Sequence, residues 1–172
     1  GCTRHVRRLG PGLAVVASTF VVGLPLAATA AAPRPGLAGA TAFRVCGGAG
    51  IPYPPADLAI GFGSAWVGCY EQGTVQRVDL RTGRVQATVR LDGLRVWAVA
   101  AGEGSVWVFN SLAGNVSRID PKTGKVVSKS PRLVSRSGTP DYAGLAVADG
   151  SVWVSSPSEG TVVRLDGRRV DW

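Results

Sequence analysis

Few side chains in this sequence are equipped for catalysis. Its single histidine, His5, lies in an N-terminal segment, so the remainder of the 172 residues offers no imidazole for a Ser-His-Asp set, a general base or a metal cluster. Of the three cysteines, Cys2 belongs to that same segment, while Cys46 and Cys69 lie beyond it. No base stands ready to activate either thiol, so the expected chemistry of Cys46 and Cys69 is a disulfide. Such a bridge would tie the stretch before the first repeat to a strand within it, contributing about 3 kcal/mol through loop closure. Neither a glycine-rich phosphate loop nor a basic-aromatic platform for nucleic acid is present. No catalytic residue, metal site or cofactor is therefore expected in this portion, and nucleic acid is not an expected partner.

The elements that would position any site are set out by an internal repeat. Gly63-Ser64-Ala65-Trp66-Val67 returns as Gly104-Ser105-Val106-Trp107-Val108 and as Gly150-Ser151-Val152-Trp153-Val154. Seven residues after each tryptophan stands a glycine (Gly73, Gly114, Gly160), and six further on an aspartate (Asp79, Asp120, Asp166). The tryptophans are 41 and 46 residues apart, close to the 40–45 residues of a propeller blade.

Each copy parses into four short strands. In the second, strand A lies near Val99-Ala100-Ala101, Glu103-Gly104 turns, strand B runs Ser105 to Phe109 and strand C Asn115 to Ile119. Asp120-Pro121-Lys122-Thr123-Gly124 then turns into strand D at Lys125 to Ser128, Pro presetting one turn dihedral and Gly the other. No window combines a 3.6-residue apolar period with freedom from Gly and Pro, so helices are not expected. The fold class expected is all-β: a β-propeller with about three four-stranded blades in view. Because rings have four to eight blades, closure requires further blades or self-association. The absence of a starting methionine and the Val170-Asp171-Trp172 ending suggest a fragment.

The pattern GSVWV…G(T/N)V(S/V/Q)R(I/V/L)D…TG(K/R)V resembles the YVTN-type propeller repeats of exported bacterial proteins, within the wider superfamily of streptogramin lyase-like propellers. Thr82-Gly83-Arg84-Val85-Gln86-Ala87-Thr88-Val89 is especially similar to the YVTN outer strand. The resemblance spans about Leu58 to Val170 and implies the fold; propellers of this kind serve unrelated functions. It implies a histidine and a divalent metal for lyase activity, and no position here matches that histidine.

Residues shared by all copies are read as serving the blade. Trp66, Trp107 and Trp153 are expected in the core between blades. Arg77 and Asp79, Arg118 and Asp120, and Arg164 and Asp166 stand two apart on one strand face, where ion pairs and turn-capping bonds are expected. Binding candidates are the residues that break the repeat: Tyr70 where the other copies have Ser111 and Pro157, Asn110 opposite Cys69 and Ser156, and Trp97 opposite Ala56 and Ala143. The connection from Ser130 to Ala143 adds Arg136, Asp141 and Tyr142. Two arrangements are open to them: a polar pocket with an aromatic wall, or Trp97 and Tyr142 plugging the channel or packing under loops.

The N-terminus reads as an export signal. Arg4, His5, Arg7 and Arg8 precede an uncharged stretch with the apolar centre Leu13 to Leu26, and Ala28-Thr29-Ala30 and Ala38-Gly39-Ala40 have the spacing a signal peptidase reads. Setting aside Arg4, Arg7 and Arg8 takes the 19 basic residues to 16 against 11 acidic ones, a modest scattered excess. The organisation expected is a signal at 1–32, a linker at 33–56, and blades at 57–93, 94–133 and 142–172. The chain is expected outside the cytoplasm, at a membrane only if the signal is retained as an anchor. Its expected function is to bind a protein or small-molecule ligand. The alternative is a streptogramin lyase-like enzyme whose histidine lies in blades not present here.

Overall fold

A computed structural model describes residues 39–47, 55–91, 95–134 and 143–169. The described residues contain eleven strands: β1 (Pro55–Gly61), β2 (Ser64–Cys69), β3 (Thr74–Asp79), β4 (Val85–Arg90), β5 (Val96–Gly102), β6 (Ser105–Asn110), β7 (Asn115–Ile119), β8 (Val126–Lys129), β9 (Leu145–Ala148), β10 (Ser151–Ser156) and β11 (Thr161–Asp166). They form three antiparallel meanders, β1-β2-β3-β4, β5-β6-β7-β8 and β9-β10-β11. These are propeller blades, the third with three strands among the described residues.

The first hairpin of each blade follows from its turn pair. Phe62-Gly63, Glu103-Gly104 and Asp149-Gly150 each carry φ near +50° on the first residue and near +70° on the second. Positive φ at both central positions defines the two-residue turn whose twist matches the flanking strands. The turn fixes the register Gly61↔Ser64, Gly102↔Ser105 and Ala148↔Ser151, and hence which side chains share a face.

Each blade has a leading face that carries its tryptophan and a trailing face that carries the alternate residues. The leading face of the first blade (Trp66, Val75, Val89) packs on the trailing face of the second (Val96, Val99, Val106, Val108, Ile119). The leading face of the second (Ala98, Trp107, Phe109, Val116) packs in the same sense on Val152 and Val154 of the third. The sheets meet closely along their first strands: a Cβ added at Gly61 would stand 2.6 Å from that of Ala101. Strand β6, covered on both faces, is buried along its whole length, whereas β11 alternates exposed and half-buried. A third cluster lies on the trailing face of the first blade, where Cys46 and Val45 cover Val67, Cys69 and Val78.

Candidate functional site

The shared residues of each blade form one repeated device. Trp66 lies directly across from Arg77, and Ser64 across from Asp79. Arg77 Nε donates to Ser64 Oγ at 2.8 Å and its guanidinium lies 5.5 Å from the Trp66 ring centre. The indole Nε1 donates to Gly61 O at 3.1 Å, and Arg77 Nη1 reaches Pro121 O in the next blade at 3.2 Å. Arg118 repeats this with Ser105 (2.7 Å), Trp107 (5.2 Å) and Arg169 O of the third blade (3.2 Å). Arg164 has Ser151 (2.9 Å) and Trp153 (5.4 Å).

The expected Arg–Asp ion pairs are not made. The arginines go to serine, indole and the neighbouring blade, while the aspartates hold the turn after β3 or β7. Asp79 accepts from the Arg81 and Thr82 amides, the Thr82 hydroxyl and Gln86 Nε2. The backbone bond from Thr82, then its hydroxyl, hold the Asp79 carboxyl below the usual carboxylate range; the Lys122 amide and Thr123 hydroxyl do the same for Asp120. Asp166 accepts from the Arg168 amide at 3.0 Å.

Arg77 and Arg164 line two clefts at the end of the blades that carries the β1–β2 and β3–β4 turns. One, of about 530 Å³, is bounded by Phe62, Arg77, Gly104, Asp120, Pro121 and Lys122 across the first two blades. The other, of about 540 Å³, is bounded by Asp149, Gly150, Ser151, Arg164, Asp166 and Arg168, all of the third blade. Sequence reasoning did not single out this end, because its arginines, aspartates and turn glycines recur in the repeat.

At the opposite end the structure brings together two residues that break the repeat. Trp97 stands at a register shift in β5 between Val96 and Ala98, a bulge that turns its side chain out of strict alternation; Ala56 occupies the same place in β1. The Trp97 ring meets that of Tyr70 edge to face, centroids 5.8 Å apart at 81°. Arg95 completes the cluster: Nη1 donates to Tyr70 Oη at 3.3 Å, and the guanidinium lies 5.3 Å from the ring centre. Its carbonyl accepts from the Ser111 amide at 2.9 Å, which fastens it to the β6–β7 loop. Tyr70 is buried, whereas Arg95 and Trp97 are half-buried, so these two form the outer surface of the cluster. Arg95 escaped the sequence reading; its position two residues before the odd tryptophan was the available signal.

Asn110 is placed differently from expectation. It is fully buried at the end of β6, and Nδ2 donates to Asn115 Oδ1 and Ser117 Oγ, both at 2.9 Å. It fastens a turn and presents nothing to a ligand. Arg136, Asp141 and Tyr142 lie outside the described residues. Cys46 and Cys69 are joined, with Cα atoms 5.3 Å apart. The bridge is flanked by bonds from the Cys46 amide to Gln76 Oε1 and from Gln72 Nε2 to Cys46 O, both 2.9 Å. Among the described residues no group of three His, Cys, Asp or Glu side chains is placed to hold a metal ion.

No family model matches the sequence, and no curated protein matches it. Solved structures do. AztD from Citrobacter koseri is 19% identical over 70% of this chain and 35% of its own, with a TM-score of 0.55. BamB from Moraxella catarrhalis is 19% identical over 68% of this chain and 35% of its own, at 0.54. Virginiamycin B lyase from Staphylococcus aureus is 11% identical over 67% of this chain and 42% of its own, at 0.51. These likenesses are of fold, and the chain spans well under half the length of each protein.

Proposed function

We propose that this chain is part of an extracytoplasmic β-propeller, of the YVTN-like kind its repeats resemble, that binds a protein or small-molecule ligand. The observation that carries the reading is the Tyr70–Arg95–Trp97 cluster. It brings the repeat-breaking Tyr70 and Trp97 together at a loop end, with Arg95 and Trp97 partly open to solvent. A guanidinium and an indole that both contact one phenol ring suit a ligand with a carboxylate next to an apolar or aromatic group. The tryptophan, set edge to face against a buried tyrosine, is held in place before any ligand arrives, which lowers the ordering cost of binding. The basic n-region, the apolar Leu13–Leu26 stretch and the Cys46–Cys69 bridge support an oxidising, extracytoplasmic setting, with residues 1–32 as the signal.

The test is a peptide library selected on the full chain and on its Trp97→Ala and Arg95→Ala variants. The expected result is enrichment of short acidic-aromatic peptides on the parent, with loss of binding in both variants. Equal enrichment on all three proteins would reject the site.

A further inference from the structure

The cleft of about 530 Å³ between the first two blades has both walls within the chain: Phe62 and Arg77 on one side, Gly104 and Asp120 to Lys122 on the other. It needs no further sheet to form it. Phe62 is the anomaly in this cleft. It holds the first place of the two-residue turn, filled by Glu103 and Asp149 in the other blades, and its φ is 52°. That conformation suits Asn, Asp or Gly and is costly for a bulky side chain. The ring gains no core position in return, being 40% exposed. A residue that strains its turn and remains in water serves neither turn nor core, and such local conflicts gather at binding sites. Phe62 also changes the charge: the first inter-blade position has an aromatic ring where the second has the Glu103 carboxylate.

Arg77 is fixed beside that ring. Nε donates to Ser64 Oγ and Nη1 to Pro121 O, with the guanidinium 5.5 Å from the Trp66 ring centre. Of its five N–H donors, the pair on Nη2 has no acceptor among the described residues. Lys122, exposed on the facing turn, brings a second cation to the cleft. Asp120 lines it too, but its carboxylate oxygens accept from the Lys122 amide at 2.8 Å and the Thr123 hydroxyl at 2.9 Å. The lining thus sets two cations against one carboxylate that is engaged by its own turn.

We propose that this cleft binds a small aromatic anion, its phosphate or carboxylate group meeting Arg77 Nη2 and Lys122 Nζ and its ring lying against Phe62. A guanidinium and an ammonium then hold the anion from opposite walls, and the phenyl group adds an apolar contact that an inorganic ion cannot use. The site lies at the opposite end of the blades from the Tyr70–Arg95–Trp97 cluster and is independent of it.

The test is calorimetric titration of the full chain with phenyl phosphate, benzoate, inorganic phosphate and benzylamine. Each titration is repeated on Trp97→Ala and on Arg95→Ala, because the other cluster also suits an aromatic carboxylate. Saturable binding of phenyl phosphate or benzoate should persist in both variants, at least about tenfold tighter than inorganic phosphate, with benzylamine not bound. Phe62→Asn should weaken it about tenfold while raising the urea midpoint, because Asn-Gly suits the turn better. Lys122→Ala should weaken it by about three- to tenfold and reduce its dependence on salt. Loss of all binding in Trp97→Ala and Arg95→Ala would overturn the site, as would binding undiminished in Phe62→Asn and Lys122→Ala. A fall in the urea midpoint of Phe62→Asn would show that the ring serves the fold, and would overturn it as well.

Discussion

Trp107 and Trp153 hold the same place in their blades, each across from an arginine whose Nε bonds a serine two residues before the indole. The guanidinium lies 5.2 Å from one ring centre and 5.4 Å from the other. Yet Trp107 is fully buried and Trp153 is 41% exposed. The local device is intact in both, so it is not what excludes water. The adjoining sheet excludes water, and the third leading face meets none among the described residues. Within a blade the device fixes orientation; between blades the same residues become core.

The comparison is tested most severely by truncation. In dilute solution, Trp107→Ala should cost about 3–5 kcal/mol in urea unfolding, because the cavity lies between two packed sheets. Trp153→Ala should cost under about 1 kcal/mol, because a half-exposed side chain on an uncovered face leaves no closed cavity. Equal losses would break the distinction between the two faces. Next in size is the cap on the other end. Replacing Cys46 and Cys69 with serine should lower stability by about 3 kcal/mol relative to the oxidised parent, and a reducing agent should lower the parent to the same level. A parent insensitive to reductant would show that the covered part of the first trailing face does not depend on the bridge.

Arg118→Ala removes the Ser105 bond, the indole contact and the reach to Arg169 O, and should cost about 1–3 kcal/mol. Arg118→Lys should not restore it, since an ammonium cannot present the same fork. In dilute solution Arg164→Ala, which loses no inter-blade bond, should be milder. The smallest effect concerns pH. The Asp79 and Asp120 carboxyls are held below their ordinary value by turn amides and hydroxyls, so the stability they give is present above about pH 4 and is lost as pH falls through their lowered folded values. Asp79→Asn with Asp120→Asn should flatten the acid limb of the stability curve and leave its slope between about pH 5 and 8 unchanged.

Much of the architecture was legible because its causes are local. The turn pairs Glu103-Gly104 and Asp120 to Gly124 carry their own dihedral preferences, and alternation along Ser105 to Asn110 follows from a two-residue period. Strand boundaries in the second blade accordingly fell within a few residues of their expected places. The candidate site was legible only in part. Tyr70 and Trp97 stood out as departures from the repeat, and the structure sets them edge to face. Arg95 did not stand out, because its partnership with Tyr70 crosses from one blade to the next. Asn110 stood out for the wrong reason: its difference from Cys69 and Ser156 reflects a buried turn-fastening amide, and sequence shows a residue's identity but not which way it is enclosed.

By itself, then, the sequence determined the repeat and the turns, settled within one blade by short-range sterics and hydrogen bonding, while the partners of Arg77, Arg118 and Arg164 are serine and indole where aspartate was expected. The tertiary structure alone decided which of three like tryptophans lies in water, which arginines reach a neighbouring carbonyl, and where a segment fastened at Cys46 covers part of an outer face. The physical reason is that burial belongs to the contact between sheets. Identical residues take different environments according to whether another sheet lies against them.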